Sequence, residues 1–281
     1  MGNAEKSACA ASVRTAARLI QRSGREVWCD DVTGRLARLK CATLPQTAAL
    51  AREVDLLLVF GGDGTMLHTA RHIAGSQTPM LGVNIGGLGF LTAVPSSDLA
   101  AALKSVWQGD FKFEARALIE ASGTVRGKEI KSVALNDIVI SRGALSRMIA
   151  LDVCVNGEPI TRYRCDGLIV SSPTGSTAYS LAAGGAIVLP TAEVFALTPI
   201  CPHALSNRSI ILPLSSTISI QAVTTVATAY LNADGEIVGE LNDGDEIHIR
   251  RSRSTVRLVH LKNSSFLEAL RRKLHWRGTY F

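Results

Sequence analysis

No two cysteines of this sequence stand in a CxxC pair. Cys9, Cys29, Cys41, Cys154, Cys165 and Cys201 are scattered along the chain, which excludes a disulfide-rich secreted frame and leaves reduced, mostly small buried residues. A long hydrophobic run is also missing: the longest, around Val54 to Phe60, is interrupted by Asp55 and falls far short of the roughly 20 residues that cross a bilayer. No membrane partner is therefore expected. Met1 to Ser12 lacks the basic start and continuous apolar stretch of a secretory signal, so a cytoplasmic location is the default expectation. There is neither a Walker loop with its lysine nor a GxGxxG fingerprint. Serine-nucleophile chemistry is set aside as well, because no GxSxG elbow is present and no histidine stands in a triad order.

What the chain does have is 281 residues, 47% of them hydrophobic and 19% charged, enough to bury a sizeable core and to divide into two domains of ordinary size. The formal charge of +6 is modest, but nine Lys/Arg against the single acid Glu268 lie between Arg250 and Phe281. Such a tail could track nucleic acid or steer polyanions. Phe266, Leu267, Leu270 and Leu274 recur there at helical spacing with no aromatic interleaving, so the solvated face of a helix is the preferred reading and nucleic acid is not an expected partner.

Helical spacing over Ser12 to Arg22, a short strand at Glu26 to Cys29, a helix over Leu44 to Arg52 and the buried-strand run Leu56 to Phe60 open the chain. Gly61-Gly62-Asp63-Gly64-Thr65 follows directly, then a helical segment Met66 to Ile73 and a second buried strand Thr78 to Asn84. Strand, glycine turn and helix in succession imply a Rossmann-like parallel sheet. From about Phe111 short β-rich runs take over: Ala117 to Ala121, Val133 to Ser141, Ile149 to Val155, Gly167 to Ser171, Ser209 to Leu212, Ile218 to Ala222 and Ile247 to Arg250. Asn156-Gly157 is a hairpin signal, and one helical interruption is expected at Ala178 to Gly184. The expected fold is thus α/β plus β. An α/β domain over 1–112 carries the glycine loop, a mainly β domain covers 113–250, and the segment 251–281 returns to the first domain.

A glycine loop at the carboxyl end of a parallel strand is where ligands of open α/β sheets bind. Its glycines let the main chain approach a phosphate, the following helix aims amides at anions, and Thr65 adds a hydroxyl. Asp63 is anomalous there, since a carboxylate repels a phosphate. It either accepts a proton from an attacking hydroxyl or holds a divalent cation, unless it is only a turn residue. The hydroxyl-rich stretch Ser171 to Tyr179 before a helix suits a sugar or base edge, or equally an ordinary helix cap. His68 and His72 stand four apart on a helix and could be a metal pair, but no nearby glutamate supports it.

GGDGT recurs in NAD kinases, in diacylglycerol and sphingosine-type lipid kinases and, more loosely, in phosphofructokinases, and so points to phosphoryl transfer to a hydroxyl without naming the acceptor. Asn84-Ile85-Gly86-Gly87-Leu88-Gly89-Phe90-Leu91 resembles the NxGxLGFL motif of NAD kinases. Asp166-Gly167 through Pro173-Thr174-Gly175-Ser176-Thr177-Ala178-Tyr179-Ser180-Leu181 resembles the DG…PTGSTAYS signature of that family. Leu135-Asn136-Asp137, Thr198 to His203 with Asn207-Arg208, Asp234-Gly235-Glu236 and Leu270 to Trp276 are further matches, and together they cover about Leu56 to Trp276. The resemblance is to bacterial-type NAD kinases using ATP or polyphosphate.

That resemblance implies a fold of the NAD kinase/diacylglycerol kinase type and conversion of NAD to NADP at the 2′-hydroxyl of the adenosine ribose. Asp63 would be the general base, with Gly61, Gly62, Gly64 and Thr65 near the transferred phosphates. Asn136 and Asp137 would contact the dinucleotide's ribose and phosphate region. Asp166 would bind the nicotinamide amide with Arg164 beside it, and Thr177, Ala178, Tyr179, Ser180, Leu181 and Ala182 would frame the adenine. His68, Arg147 and Glu236 match further NAD-contacting positions. Mg²⁺ or another divalent cation on the donor phosphates and a homodimer or homotetramer are implied too. The chain departs from the family pattern at Asp137 (usually Glu), Ala182 (Ser) and Glu236 (Gln). The family's opening apolar strand has no counterpart in Met1 to Ala11, so that edge of the sheet is expected to be irregular or missing.

Overall fold

The computed structural model describes residues 1–3, 7–87, 89–92, 94–143, 147–223, 228–262 and 265–276. Leu88 of the NxGxLGFL match and the last five residues of the expected returning segment lie outside the described residues. The chain forms two compact units, Met1–Ala115 with Thr255–Phe281, and Arg116–Ser254. No described helix is long and apolar enough to cross a membrane.

In the first unit, α1 (Ser7–Arg22) buries Val13, Ala16 and Ala17 at helical spacing and stops at Gly24, whose φ of 76° suits a residue without a Cβ. Then come β1 (Trp28–Asp30), α2 (Asp31–Ala37), β2 (Ala42–Leu44) and α3 (Thr47–Glu53). β1 lies two residues later in its course than expected, and β2 occupies what reads as the helix start at Leu44. α2 was not foreseen, although its signal is local. Asp30 caps it by accepting the Thr33 amide at 2.9 Å.

β3 (Leu57–Gly61), α4 (Asp63–His72), β4 (Met80–Asn84) and β5 (Val94–Pro95) follow, with β3, β4 and β5 pairing in parallel. β4 is buried along its whole length and β3 almost so, as parallel strands covered on both faces require. At the edge where the family pattern opens with a strand, the described residues form a single parallel bridge, Gly2 to Phe60, framed by the Phe60 amide on Met1 and the Asn3 amide on Phe60. α5 (Leu99–Trp107) packs Leu99 and Leu103 into the same core as Val13, Phe60 and Val83.

β6 (Phe111–Val125) leads into the second unit, and β7 (Lys128–Ala134) pairs with it antiparallel. β8 (Asp137–Arg142), β9 (Ile149–Val155), β10 (Glu158–Cys165) and β11 (Gly167–Ser171) come next, then α6 (Tyr179–Ala182), β12 (Val194–Ile200), β13 (Ile210–Pro213), β14 (Ile218–Ala222), β15 (Ala229–Ala233) and β16 (Glu236–Leu241). β17 (Glu246–Leu261) leads back to the first unit, and α7 (Phe266–Lys273) belongs to that unit.

Two ladders dominate the second unit. One is wholly antiparallel in the order β13-β12-β11-β8-β15-β16, and the other runs β10-β9-β14-β17. They share a core of Ile138, Ile140, Leu151, Val153, Phe195, Leu231 and Ile249, among others. Asn156 and Gly157 both have positive φ, 52° and 83°, and close the β9-β10 hairpin as the Asn-Gly pair predicts.

Three readings need correction. The single run Val133 to Ser141 is two strands, because the chain breaks at Leu135-Asn136 to hand its amides to Asp234. The helix expected at Ala178 to Gly184 is a 3₁₀ turn at Thr174–Thr177 followed by the single turn α6. β5, β12, β15 and β16 were not anticipated as strands, and β10 was implied only by the Asn156-Gly157 turn.

Candidate active site

The first unit builds its site on the β3-α4 turn. Asp63 is the first residue of α4 after Gly62, which supplies no side-chain cap, so the opening amides of the helix remain directed outward. Both carboxylate oxygens of Asp63 are fixed from the loop after β4: Oδ2 accepts the Phe90 amide at 2.8 Å and Oδ1 the Leu91 amide at 3.0 Å. That loop is itself braced by Asn84, whose Nδ2 donates to the Gly87 carbonyl at 2.8 Å and to Thr92 Oγ1 at 3.0 Å. Thus GGDGT and the NIGGLGF stretch form one structure joined through Asp63.

Glycine is required at two of these positions by the chain itself. A methyl group at Gly89 would stand 2.1 Å from Asp63 Oδ1, and one at Gly61 would stand 2.2 Å from Thr65 Oγ1. At Gly64 it would meet nothing within 4 Å, so packing does not explain that glycine. His68 lies one turn along α4 on the exposed side, with its ring 4.2 Å from that of His72, whose Nδ1 is 2.8 Å from the His68 carbonyl. Among the described residues no three His, Cys, Asp or Glu side chains are grouped to hold a metal ion.

One contact here was not readable from the sequence. The ammonium of Lys273, last residue of α7, lies 3.7 Å from Asp63 Oδ2 and 4.2 Å from the centre of the Phe90 ring. Phe266 from the same helix approaches Phe90 at 6.2 Å between centroids.

In the second unit, Asn136 and Asp137 open β8 beside the Ser172–Thr177 loop. The Asn136 carbonyl accepts the Ser172 amide at 2.8 Å, and a methyl at Gly175 would stand 2.2 Å from that carbonyl oxygen. Asp234 organises this corner, accepting the amides of Leu135 at 2.9 Å, Asn136 at 2.7 Å and Asp137 at 3.3 Å. Asp137 itself is buried, and burial, followed by the nearby Asp234 charge, raises its carboxyl from 3.8 to about 7. Of the Thr177 to Ala182 group, Tyr179 and Ala182 are exposed, while the Ser180 hydroxyl is buried against Thr198 Oγ1 at 3.1 Å, which in turn meets Ser209 Oγ at 2.8 Å.

Asp166 stands elsewhere. It precedes β11 whereas Ser171 ends that strand, a separation of about 17 Å at roughly 3.4 Å per residue. The cation paired with it is Arg142, whose Nε donates to Asp166 Oδ1 at 2.8 Å, and Arg164 is exposed on β10. Arg147 and Glu236 are exposed. Asp234, Arg142 and Lys273 are the residues that sequence reasoning left without a role, each acting on a partner far away in the chain.

Comparison with known proteins adds to this geometry. The ATP-NAD kinase N-terminal domain matches residues 5–111 and the ATP-NAD kinase C-terminal domain residues 135–261. An NAD kinase of Geobacter sulfurreducens is 45% identical over 223 residues, 79% of this chain and 78% of that protein. One from Cupriavidus pinatubonensis is 41% identical over 258 residues, 92% of this chain and 84% of that protein. Among solved structures, yeast NADH kinase complexed with NADH superposes with a TM-score of 0.85 at 30% identity, covering 96% of this chain and 86% of that one. An NAD kinase from Archaeoglobus fulgidus in complex with ATP gives 0.75 at 25% identity, covering 95% of each.

Proposed function

The chain belongs to the NAD kinase family, and from that premise we propose that it transfers the terminal phosphoryl group of ATP, or of a polyphosphate, to the adenosine ribose 2′-hydroxyl of NAD, giving NADP. The observation that carries this reading is the placement of Asp63. A carboxylate stands at the start of α4, held at both oxygens by backbone amides, in a turn whose Gly64 leaves open space where a side chain would be. An ionised carboxylate has about four acceptor positions, so two remain for a hydroxyl proton after Phe90 and Leu91 have donated. The 2′-oxygen attacks the terminal phosphorus, its proton passes to Asp63, and the bond from phosphorus to the bridging oxygen breaks to release ADP. The outward amides of α4 and the Thr65 hydroxyl are suited to the phosphate oxygens.

Two unit charges of like sign about 4 Å apart near a protein surface repel by about 4 kcal/mol, so Asp63 and the incoming phosphates need cations beside them. A divalent cation such as Mg²⁺ would supply part of that neutralisation on the donor phosphates. Asp63, at the start of α4, is the carboxylate that would stand beside a cation carried by the donor phosphates.

For the acceptor, Asn136, Asp137 and the exposed Tyr179 ring supply the polar and stacking groups that a nucleoside needs. Asp166, partly exposed and held by Arg142 at 2.8 Å, offers carboxylate acceptor positions to the N–H of a carboxamide. We extend the reading to a homodimer or homotetramer. β13 and β16 end the six-stranded ladder with Ile211 and Ile237 exposed, and open apolar strand edges favour pairing.

Asp63→Asn tests the base. We expect kcat to fall by about 10²-fold or more while calorimetric NAD binding stays close to wild type. Near-normal turnover would remove Asp63 from the proton transfer.

A further inference from the structure

We propose that Lys273 is a further catalytic residue: on donor binding, its ammonium leaves Asp63 for the non-bridging oxygens of the phosphoryl group in flight. The inference rests on the phosphoryl-transfer reading and adds to it a residue from the far end of the chain.

Four observations carry it. Lys273 Nζ is 3.7 Å from Asp63 Oδ2, beyond hydrogen-bond range, and both Asp63 oxygens already accept backbone amides. The lysine is therefore not needed to satisfy the carboxylate. Second, the ammonium is held in place from another direction, over the Phe90 ring at 4.2 Å. Third, Phe90 ties both groups together, since its amide fixes Asp63 and its ring carries Lys273 and packs near Phe266. Fourth, the Lys273 side chain is 26% exposed and that of Asp63 29%, so both remain open to a ligand while partly screened from water.

A cation beside a proposed base would hinder proton acceptance if it stayed there permanently. The same cation helps if negative charge arrives next to it, and a phosphoryl group transferred to a hydroxyl at Asp63 brings that charge. In the transfer the bond between the 2′-oxygen and phosphorus forms as the one to the bridging oxygen breaks, and the hydroxyl proton passes to Asp63. Lys273 gains and loses no bond, and stabilises the equatorial oxygens as they pass. A lysine suits the task, being a compact charge on a flexible four-carbon stem.

The test compares Lys273→Met, which keeps the apolar stem over Phe90, with Lys273→Arg, which keeps the charge, using full-length protein with NAD, ATP and Mg²⁺. We expect Lys273→Met to lower kcat by about 100-fold, with NAD affinity by calorimetry and the melting temperature near wild type, and Lys273→Arg to recover about tenfold of that loss. A Lys273→Met enzyme with wild-type kcat, or one whose loss is explained by a collapsed melting transition or by NAD affinity alone, would overturn the proposal. Lys273→Met in an Asp63→Asn background separates the two readings. A lysine serving only Asp63 costs nothing once the carboxylate is gone, whereas one serving the phosphoryl group still costs activity. If Asp63→Asn alone remains active and Lys273→Met does not, the base assignment fails and the lysine assignment stands.

Discussion

Asp137 illustrates how a single carboxyl can be shaped by its corner of the fold. It is buried beside Asp234, which is occupied with the amides of residues 135 to 137, and its carboxyl is pushed up to about 7. The folded chain therefore holds this proton more tightly than the unfolded chain does. As pH rises from about 4 to about 7 the unfolded state loses its proton first, so the stability contributed by this group falls across that window and levels off above it. Asp137→Asn cannot ionise, and its melting temperature relative to wild type should increase steadily from pH 4.5 to pH 7.5. A constant difference between the two proteins over that range would show that Asp137 ionises as easily folded as unfolded.

At the scale of elements, the β3-α4 turn and the loop after β4 are mechanically one unit, because Asp63 of the first is held by Phe90 and Leu91 of the second. Gly89→Ala tests this joint without replacing any charged group. Its methyl would fall 2.1 Å from Asp63 Oδ1 and 2.3 Å from Thr92 Oγ1, and the carboxylate can make room only by giving up an amide. We expect kcat to drop by about tenfold or more with donor and acceptor still bound, and an unaltered kcat would mean that the exact seat of Asp63 is unimportant. The two motifs were legible in the sequence because each is contiguous and follows a strongly apolar strand. Their connection was not, since nothing in a local pattern says which amide a carboxylate will accept. The same holds for Asp234, Arg142 and Lys273, whose partners lie 24 to 210 residues away. The β15-β16 hairpin is a different kind of omission. Asp234-Gly235, with φ of 49° and 82°, is a local turn signal of the same type as Asn156-Gly157, and weighing it would have revealed both strands.

For the whole molecule, hydrophobic patterning separated an α/β beginning from a β-rich remainder, because β3 and β4 read as unbroken apolar runs next to helical periodicity while antiparallel strands such as β9, β14 and β15 alternate. β12 is also buried almost throughout, but its run VFALTPI carries a proline, which weakens a strand reading. The closing helix was read as one that returns to the first domain, but no pattern could say what it would meet there: α7 lies in the first unit and brings Lys273 to Asp63. The roles proposed for Asp63 and for the lysine beside it both depend on one reaction taking place. The most direct measurement incubates the purified protein with NAD, Mg²⁺ and either ATP or polyphosphate, and detects product with an NADP-specific dehydrogenase. The account predicts NADP from at least one donor, formed one for one with the phosphoryl groups consumed. NAD bound normally but no NADP from either donor would contradict it.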